Sequence, residues 1–187
     1  MSPDRKDGMN YLYGHSWHPK LRKPVRPLTE KQARERWENG PDFCVAGGPD
    51  LEPGRVPEYS LVVGRQGQFV TATRYDQHGS VVAVYNFKHV DERPEDLFLK
   101  QVTLYTYPGE DRWYDELHCS AVATYQFRPD GSGQRRLTVK AAPADEVVEF
   151  EGVDVSDHWE APITWGDWDR FGRDRTPALP ERDPAGS

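Results

Sequence analysis

The sequence predicts a single, mainly β domain of the α+β class, built on an antiparallel meander of about seven strands. Its 187 residues suit one domain. From residue 59 onward, runs rich in Val, Thr, Tyr and Phe alternate with a period of two. The links between them, such as "YDQHGSV" and "FRPDGSGQ", contain glycine and are too short for crossover helices. Such a sheet must either curl into a barrel or have one face covered, for which the helix and the chain ends are available; we expect it to be strongly curled or barrel-like, with these segments packed on it.

The two ends of the chain differ in composition from the middle. Residues 1–10, "MSPDRKDGMN", are polar and charged and predict a flexible N-terminus without an apolar targeting segment. Residues 173–187 are rich in Pro and charge and almost without rings, which predicts a disordered tail. The domain should therefore span residues 11–172.

The stretch "YLYGHSWHP" suits either a metal site or a strand end anchored by rings. His15 and His18 stand three apart, and a zinc site would need further ligands from elsewhere in the chain. Gly14 and Pro19 bracket the pair, which favours a loop or strand end. We therefore expect no metal, and we expect the two histidines to form an exposed polar rim that is a secondary binding candidate. The rings that should anchor this segment on the core are Tyr11, Tyr13 and Trp17.

One N-terminal helix is predicted over about residues 30–38. Thr29 and Gln32 form a capping box at its start. Gly40 should end it in a left-handed cap conformation. The helix should dock on the sheet through Trp37, since most of its other positions are charged.

Residues 45–58, "VAGGPDLEPGRVPE", predict an irregular connection because Gly and Pro are frequent there. The seven predicted strands that follow are residues 59–63, 68–75, 81–88, 97–107, 118–127, 134–140 and 146–150. In "VVAVYNFKHV", residues 81–90, one face is more aromatic than the other and should point inward. Its residues are Val81, Ala83, Tyr85, Phe87 and His89.

A tryptophan-rich segment follows the last predicted strand. Leaving several large rings in water is costly, so the segment should wrap back onto the sheet. Asp167 is expected to cap a single short helical turn there. The rings concerned are Trp159, Trp165, Trp168 and Phe171.

Charge, cysteines and motifs exclude several classes of function. The formal net charge of −7 argues against nucleic-acid binding and suits a basic partner. Cys44 and Cys119 form no CxxC pair, which excludes a thiolate zinc site and predicts reduced thiols. No apolar run approaches 18 residues, so we expect no membrane association and a cytoplasmic location. Nucleotide-binding and hydrolase motifs are absent, and no cofactor is predicted.

The loop "PGEDRWYDEL", together with the overlapping "WYDELHC" stretch, is the first candidate for function. It is longer than a hairpin needs and places two rings beside acidic residues. A Cys–His nucleophile is not expected, because on a strand His118 and Cys119 would point to opposite faces. The predicted binding residues in this loop are Trp113, Tyr114, Asp115, Glu116 and His118.

Two stretches carry a resemblance to known proteins. "MNYLYGHSWHPKLRKPVRPLTEKQARERWENGPDFCVAGG" and "VDVSDHWEAPITWGDWDRF" resemble a group of small actinobacterial proteins with no established activity. That resemblance implies a bacterial source and a shared fold. The meander with its repeated turns also resembles β-rich immunity or antitoxin proteins, which implies a protein partner.

Three functions are compatible with these observations, of which the third in rank is a structural subunit of a homo-oligomer; the sequence indicates no oligomeric state. The first is a binding protein of the immunity or antitoxin type, which meets another bacterial protein through an acidic, aromatic surface. The alternative is a small-molecule site in a barrel-like sheet, as a carrier or as an enzyme with a His or Glu acid–base residue. Whether the protein is an enzyme stays open at this point.

Overall fold

The computed structural model describes residues 9–177, which form one mainly β domain. Its eleven strands are β1 Met9–His18, β2 Lys23–Leu28, β3 Phe43–Pro49, β4 Tyr59–Val63, β5 Phe69–Tyr75, β6 Val81–Lys88, β7 Leu97–Thr106, β8 Ala121–Phe127, β9 Gly133–Val139, β10 Glu146–Phe150 and β11 Trp159–Glu160. The helices are α1 Glu30–Asn39 and α2 Asp169–Gly172, with 3₁₀ turns at Arg65–Gly67, Glu116–His118 and Ser156–His158.

The strands form one antiparallel sheet in the order β10-β9-β8-β7-β6-β5-β4-β3-β1-β2, and β11 pairs with β7. The sheet is open, with β10 and β2 at its edges, so the expectation of a strongly curled or barrel-like sheet is wrong. Both edges are poorly suited to closure: β2 carries Pro24 and Pro27, which lack backbone donors, and β10 has only five residues. A helix and the C-terminal segment cover one face instead.

The seven predicted strands correspond to β4–β10, each within three residues of its observed bounds. β1, β2, β3 and β11 were not predicted, and the short helical turn expected in the tryptophan-rich segment is the second helix, α2. β3 was not predicted because glycines are typical of loops. Gly47 is nevertheless required in this strand for packing, since a Cβ at this position would collide with the Tyr59 hydroxyl. The glycines that allow this strand to pack closely were therefore interpreted as a sign of irregular backbone.

Helix α1 begins as predicted and ends differently. Thr29 Oγ1 accepts a hydrogen bond from the Gln32 N–H, and Gln32 reaches back to the Thr29 N–H, which confirms the capping box. Gly40 is extended (φ −105°) and not left-handed, so that expectation is wrong. Glycine is needed at this position for space, because a Cβ would lie 2.8 Å from Arg36 Cα. Trp37 docks edge-on against Trp168, with ring centroids 5.8 Å apart.

The main core lies on the face of the sheet that carries α1 and α2, which we call the inner face. Residues 81, 83, 85 and 87 of β6 are buried there as predicted, whereas His89 lies beyond the strand and is exposed. Phe171 of α2 packs edge-on against Phe87, with centroids 5.1 Å apart. Asp167 does not cap α2 and instead pairs with Arg170 (2.7 Å). The tryptophan-rich segment thus wraps onto the sheet.

Ordered structure continues past the predicted boundary at residue 172. Asp174 accepts a hydrogen bond from the Tyr85 hydroxyl (3.0 Å), and the side chain of Arg175, only 7% exposed, pairs with Glu160. Met9 and Asn10, assigned to a flexible N-terminus, begin β1. The rest of the predicted N-terminus, residues 1–8, and of the predicted tail, residues 178–187, lies outside the described residues. Between residues 9 and 177, no helix is long and apolar enough to cross a membrane.

Candidate functional site

His15 and His18 do not form a joint site. Both lie on β1, and because they stand three residues apart on a strand their side chains point to opposite faces. His15 Nε2 lies 2.9 Å from the Arg36 guanidinium, and partial burial followed by that positive charge lowers the pKa of His15. His18 Nδ1 accepts a hydrogen bond from the Leu21 N–H (3.4 Å). Residues 9–177 contain no group of three His, Cys, Asp or Glu side chains placed to hold a metal.

The rings beside these histidines pack on the rest of the domain. The Tyr11 hydroxyl donates to Asp169 (3.0 Å), and Tyr13 stacks on Trp165 with centroids 5.9 Å apart. Trp17 is buried in a small cluster with Cys44. The segment is held by its rings along a full strand.

The loop between β7 and β8 is held against the domain by contacts of its rings and its backbone. Trp113 is half-buried, with the Lys20 ammonium 5.3 Å from its ring centroid. Tyr114 stacks on Tyr107 (5.5 Å) and its backbone N–H donates to Ser80 Oγ (3.0 Å). Both rings therefore lie against the domain, and the exposed part of the loop lies further along the chain.

That exposed part is the 3₁₀ turn Glu116–His118. Asp115 Oδ1 opens it by accepting the Leu117 N–H (3.0 Å), and Leu117 is 81% exposed. Burial, and then the negative charge of Glu116, raise the pKa of Tyr105 to about 12. His118 is exposed whereas Cys119 is 6% exposed, so no Cys–His pair forms. The loop contacts Tyr107 just after β7, and its Trp113 lies against Lys20, two residues after His18 in the β1–β2 turn.

Sequence reasoning missed a row of side-chain amides on the outer face, opposite the helices. β6 to β9 each contribute one amide, and the pairing register places each amide directly opposite the next. Directly opposed residues of antiparallel strands share a face and lie about 5 Å apart. We call these residues the amide row: Asn86, Gln101, Gln126 and Gln134.

The row is only partly satisfied by its own hydrogen bonds. The bonds run from Thr71 Oγ1 to Asn86 Oδ1 (2.9 Å), from Gln101 Nε2 to Thr103 Oγ1 (3.2 Å) and from Gln134 Nε2 to Gln126 Oε1 (2.7 Å). Within the described residues, the groups left without a partner are the donors Asn86 Nδ2 and Gln126 Nε2 and the acceptors Gln101 Oε1 and Gln134 Oε1. Donors and acceptors thus alternate across four strands.

The amide row lines an open recess of about 510 Å³. The side chains that complete it are Lys88, Lys100, Arg128 and Phe127. Within the described part of the chain, its lining contains three cations and no His, Asp or Glu. Each amide is separated from the next by at least seven residues in the chain, so only the strand register reveals the row. The one local sign in the sequence was the alternation within each strand, which indicates the face on which an amide lies.

Searches for relatives give no further constraint. No family model matches this chain, and neither a curated protein nor a solved structure does. The resemblance to actinobacterial proteins and the likeness to immunity proteins therefore stay predictions. The geometry of the recess and of the loop is the ground for assigning a function.

Proposed function

We propose that this protein binds a small polar molecule in the recess on the outer face of its sheet. The observation that carries the proposal is the amide row, in which four adjacent strands present unpaired donors and acceptors in alternation. A volume of about 510 Å³ lies within the usual range of small-molecule sites, roughly 300 to 1,000 Å³.

The chemistry of the lining favours binding over catalysis. Amides are neutral at all ordinary pH values and serve as donors and acceptors, not as acids or bases. General acid–base catalysis most often uses His, Asp or Glu, and none of these lines the recess among residues 9–177; its titratable groups are the cationic side chains Lys88, Lys100 and Arg128. The proposal is therefore the small-molecule alternative of the sequence analysis, without its acid–base residue.

The amide row provides a direct test by NMR. A set of sugars, amino acids, nucleosides and organic acids would be screened, and we expect ligands to move the side-chain NH₂ resonances of the row. Gln126→Leu should weaken binding by about tenfold, because a ligand group left without its partner costs about 1–3 kcal/mol. Gln68→Leu, the same change at an exposed position outside the recess, should leave affinity unchanged. A screen that moves none of the four resonances contradicts the proposal.

A second candidate is the protein-binding surface predicted in the β7–β8 loop. One observation favours it: Leu117, at 81%, is the most exposed of the large hydrophobic side chains in the described chain, and it lies between exposed Glu116 and His118. A leucine presented at a loop tip beside charged groups is the arrangement of an interface anchor with a polar rim.

Leu117→Ala tests this second candidate with little effect on folding. For a partner protein bound by the parent chain, we expect a dissociation rate about tenfold higher, since truncating an anchor costs more than 1 kcal/mol. Val25→Ala, at a 37% exposed position on the edge strand β2, is the matched control. Equal dissociation rates for parent and Leu117→Ala would remove the loop as a binding surface.

A further inference from the structure

We infer that the ligand of the recess is an anion, whose carboxylate or phosphate group binds among Lys88, Lys100 and Arg128. This inference rests on the proposed function and adds the chemical class of the ligand. The chain as a whole carries a formal charge of −7, yet among residues 9–177 the recess lining carries three positive charges and no negative one; Glu149, on β10 opposite Gln134, lies outside the lining. A concave site lined by one sign of charge attracts the opposite sign.

The strand geometry places the three cations on one side of the amide row. Lys88 and Arg128 stand two residues beyond Asn86 and Gln126, which keeps each on the same face as its amide. β6 and β8 run in the same direction, because both are antiparallel to β7. Both cations therefore flank the row on the same side.

Lys100 reaches that side through an irregularity in β7. Asn86 pairs with Gln101 while Phe87 pairs with Leu99, so Lys100 has no partner on β6. With regular pairing and no bulge, Lys100 would lie opposite Phe87 on the inner face, and Leu99 would lie beside the row on the outer face. A β-bulge re-aims side chains, and such bulges are frequent near functional sites. Here it replaces a leucine by an ammonium group in the lining.

Within the described residues, no carboxylate forms an ion pair with any of the three cations. Elsewhere in the described chain, Arg135, Arg170, Arg173 and Arg175 each pair with a carboxylate. No such pair involves Lys88, Lys100 or Arg128 within residues 9–177; Arg128 instead donates to Ser132 Oγ (3.1 Å), which orients its guanidinium. Asp130, close by in the chain, accepts the Ser132 N–H (2.9 Å) in the β8–β9 turn; its charge interacts with that of Arg128, but it forms no ion pair with it and does not line the recess.

Together the two sets of side chains define a ligand class. An acid group would bind at the cations, and hydroxyl or amide groups of the same molecule would lie along the amide row. Charge-assisted bonds are about twice as strong as neutral ones, so the acid group should contribute most of the affinity. A small organic acid or a small phosphate ester fits this arrangement.

An NMR titration of the full chain with minimal anions tests the class. Inorganic phosphate and acetate would each be added at constant ionic strength, with chloride as reference. We expect saturable shifts of the backbone amides of Lys88, Lys100 and Arg128 with at least one of the two, the stronger one telling phosphate from carboxylate. Lys100→Gln should weaken binding about tenfold. Lys31→Gln, on the exposed side of α1, should have no effect.

The outcomes separate this inference from the proposed function. Phosphate and acetate shifts no larger than those of chloride would overturn the anion class, whereas a neutral ligand that moves the amide row in the metabolite screen would leave the proposed function standing. If the spectrum of Lys100→Gln shows an altered fold, Arg128→Gln takes its place, since that residue follows β8 and lies outside the strand. Unchanged anion affinity in the folded variant also overturns the inference.

Discussion

Trp168→Ala is expected to lower the free energy of unfolding by about 3–5 kcal/mol. The side chain is completely buried, and its ring packs edge-on against Trp37, Phe43 and Trp165 with centroid distances of 5.8, 6.2 and 5.3 Å. It joins helix α1, the inner face of the sheet and the C-terminal segment. Removal of the ring would leave a cavity between these three parts of the chain. The cavity could close only if all three parts moved.

Urea unfolding followed by far-UV circular dichroism would measure the loss. Because a typical domain is stable by about 5–15 kcal/mol, a change of this size removes a large part of the total. Trp168→Phe keeps an aromatic ring in the site and should lose much less. Leu117→Ala, at an exposed position, should change stability by less than about 0.5 kcal/mol. A midpoint for Trp168→Ala near that of Leu117→Ala would show that the C-terminal segment is not part of the core.

Glu160→Gln is expected to lower the free energy of unfolding by about 3–5 kcal/mol. The substitution removes a negative charge and leaves the volume of the side chain nearly unchanged. Its carboxylate, 8% exposed, pairs with Arg173 (2.6 Å), Arg170 (3.4 Å) and the buried Arg175. Burial lowers the pKa of Arg175, but a guanidinium stays charged in the folded protein. The amide would leave that buried cation without its counterion.

A double-mutant cycle isolates the effect of charge. Adding Arg175→Leu to Glu160→Gln should recover part of the lost stability, because a neutral pair no longer contains an isolated buried charge. Glu146→Gln, in the more exposed pair with Arg135, should cost less than about 1 kcal/mol. Additive losses for Glu160→Gln and Arg175→Leu would contradict the account of a coupled buried pair.

Local pattern was sufficient for much of the fold. The bounds of β6 follow from its alternation of apolar and polar residues, and the start of α1 follows from Thr29 and Gln32. Both depend on residues within one element, where side-chain periodicity and capping act. β1 and β3 were missed because their glycines suggest loops, although a Cβ at Gly14 would lie 2.7 Å from Pro24 Cβ on the neighbouring strand.

The candidate site was the least predictable part. The loop residues Trp113 to His118 were chosen by residue type, and the structure shows that two of them, Trp113 and Tyr114, are committed to packing. The amide row escaped notice because its members are dispersed through four strands. Their common feature is register, which depends on how every strand between them pairs.

By itself, the sequence determined which local elements form: a meander of alternating strands, one capped helix, and a tryptophan-rich segment whose rings pack against the sheet. Only the tertiary structure decided that the sheet stays open, that Arg175 is buried against Glu160, and that Lys100 stands beside the amide row. The first group depends on neighbours along the chain, through periodicity and hydrophobicity. The second depends on contacts between distant residues, because pairing register and the burial of charge are set when the whole sheet assembles.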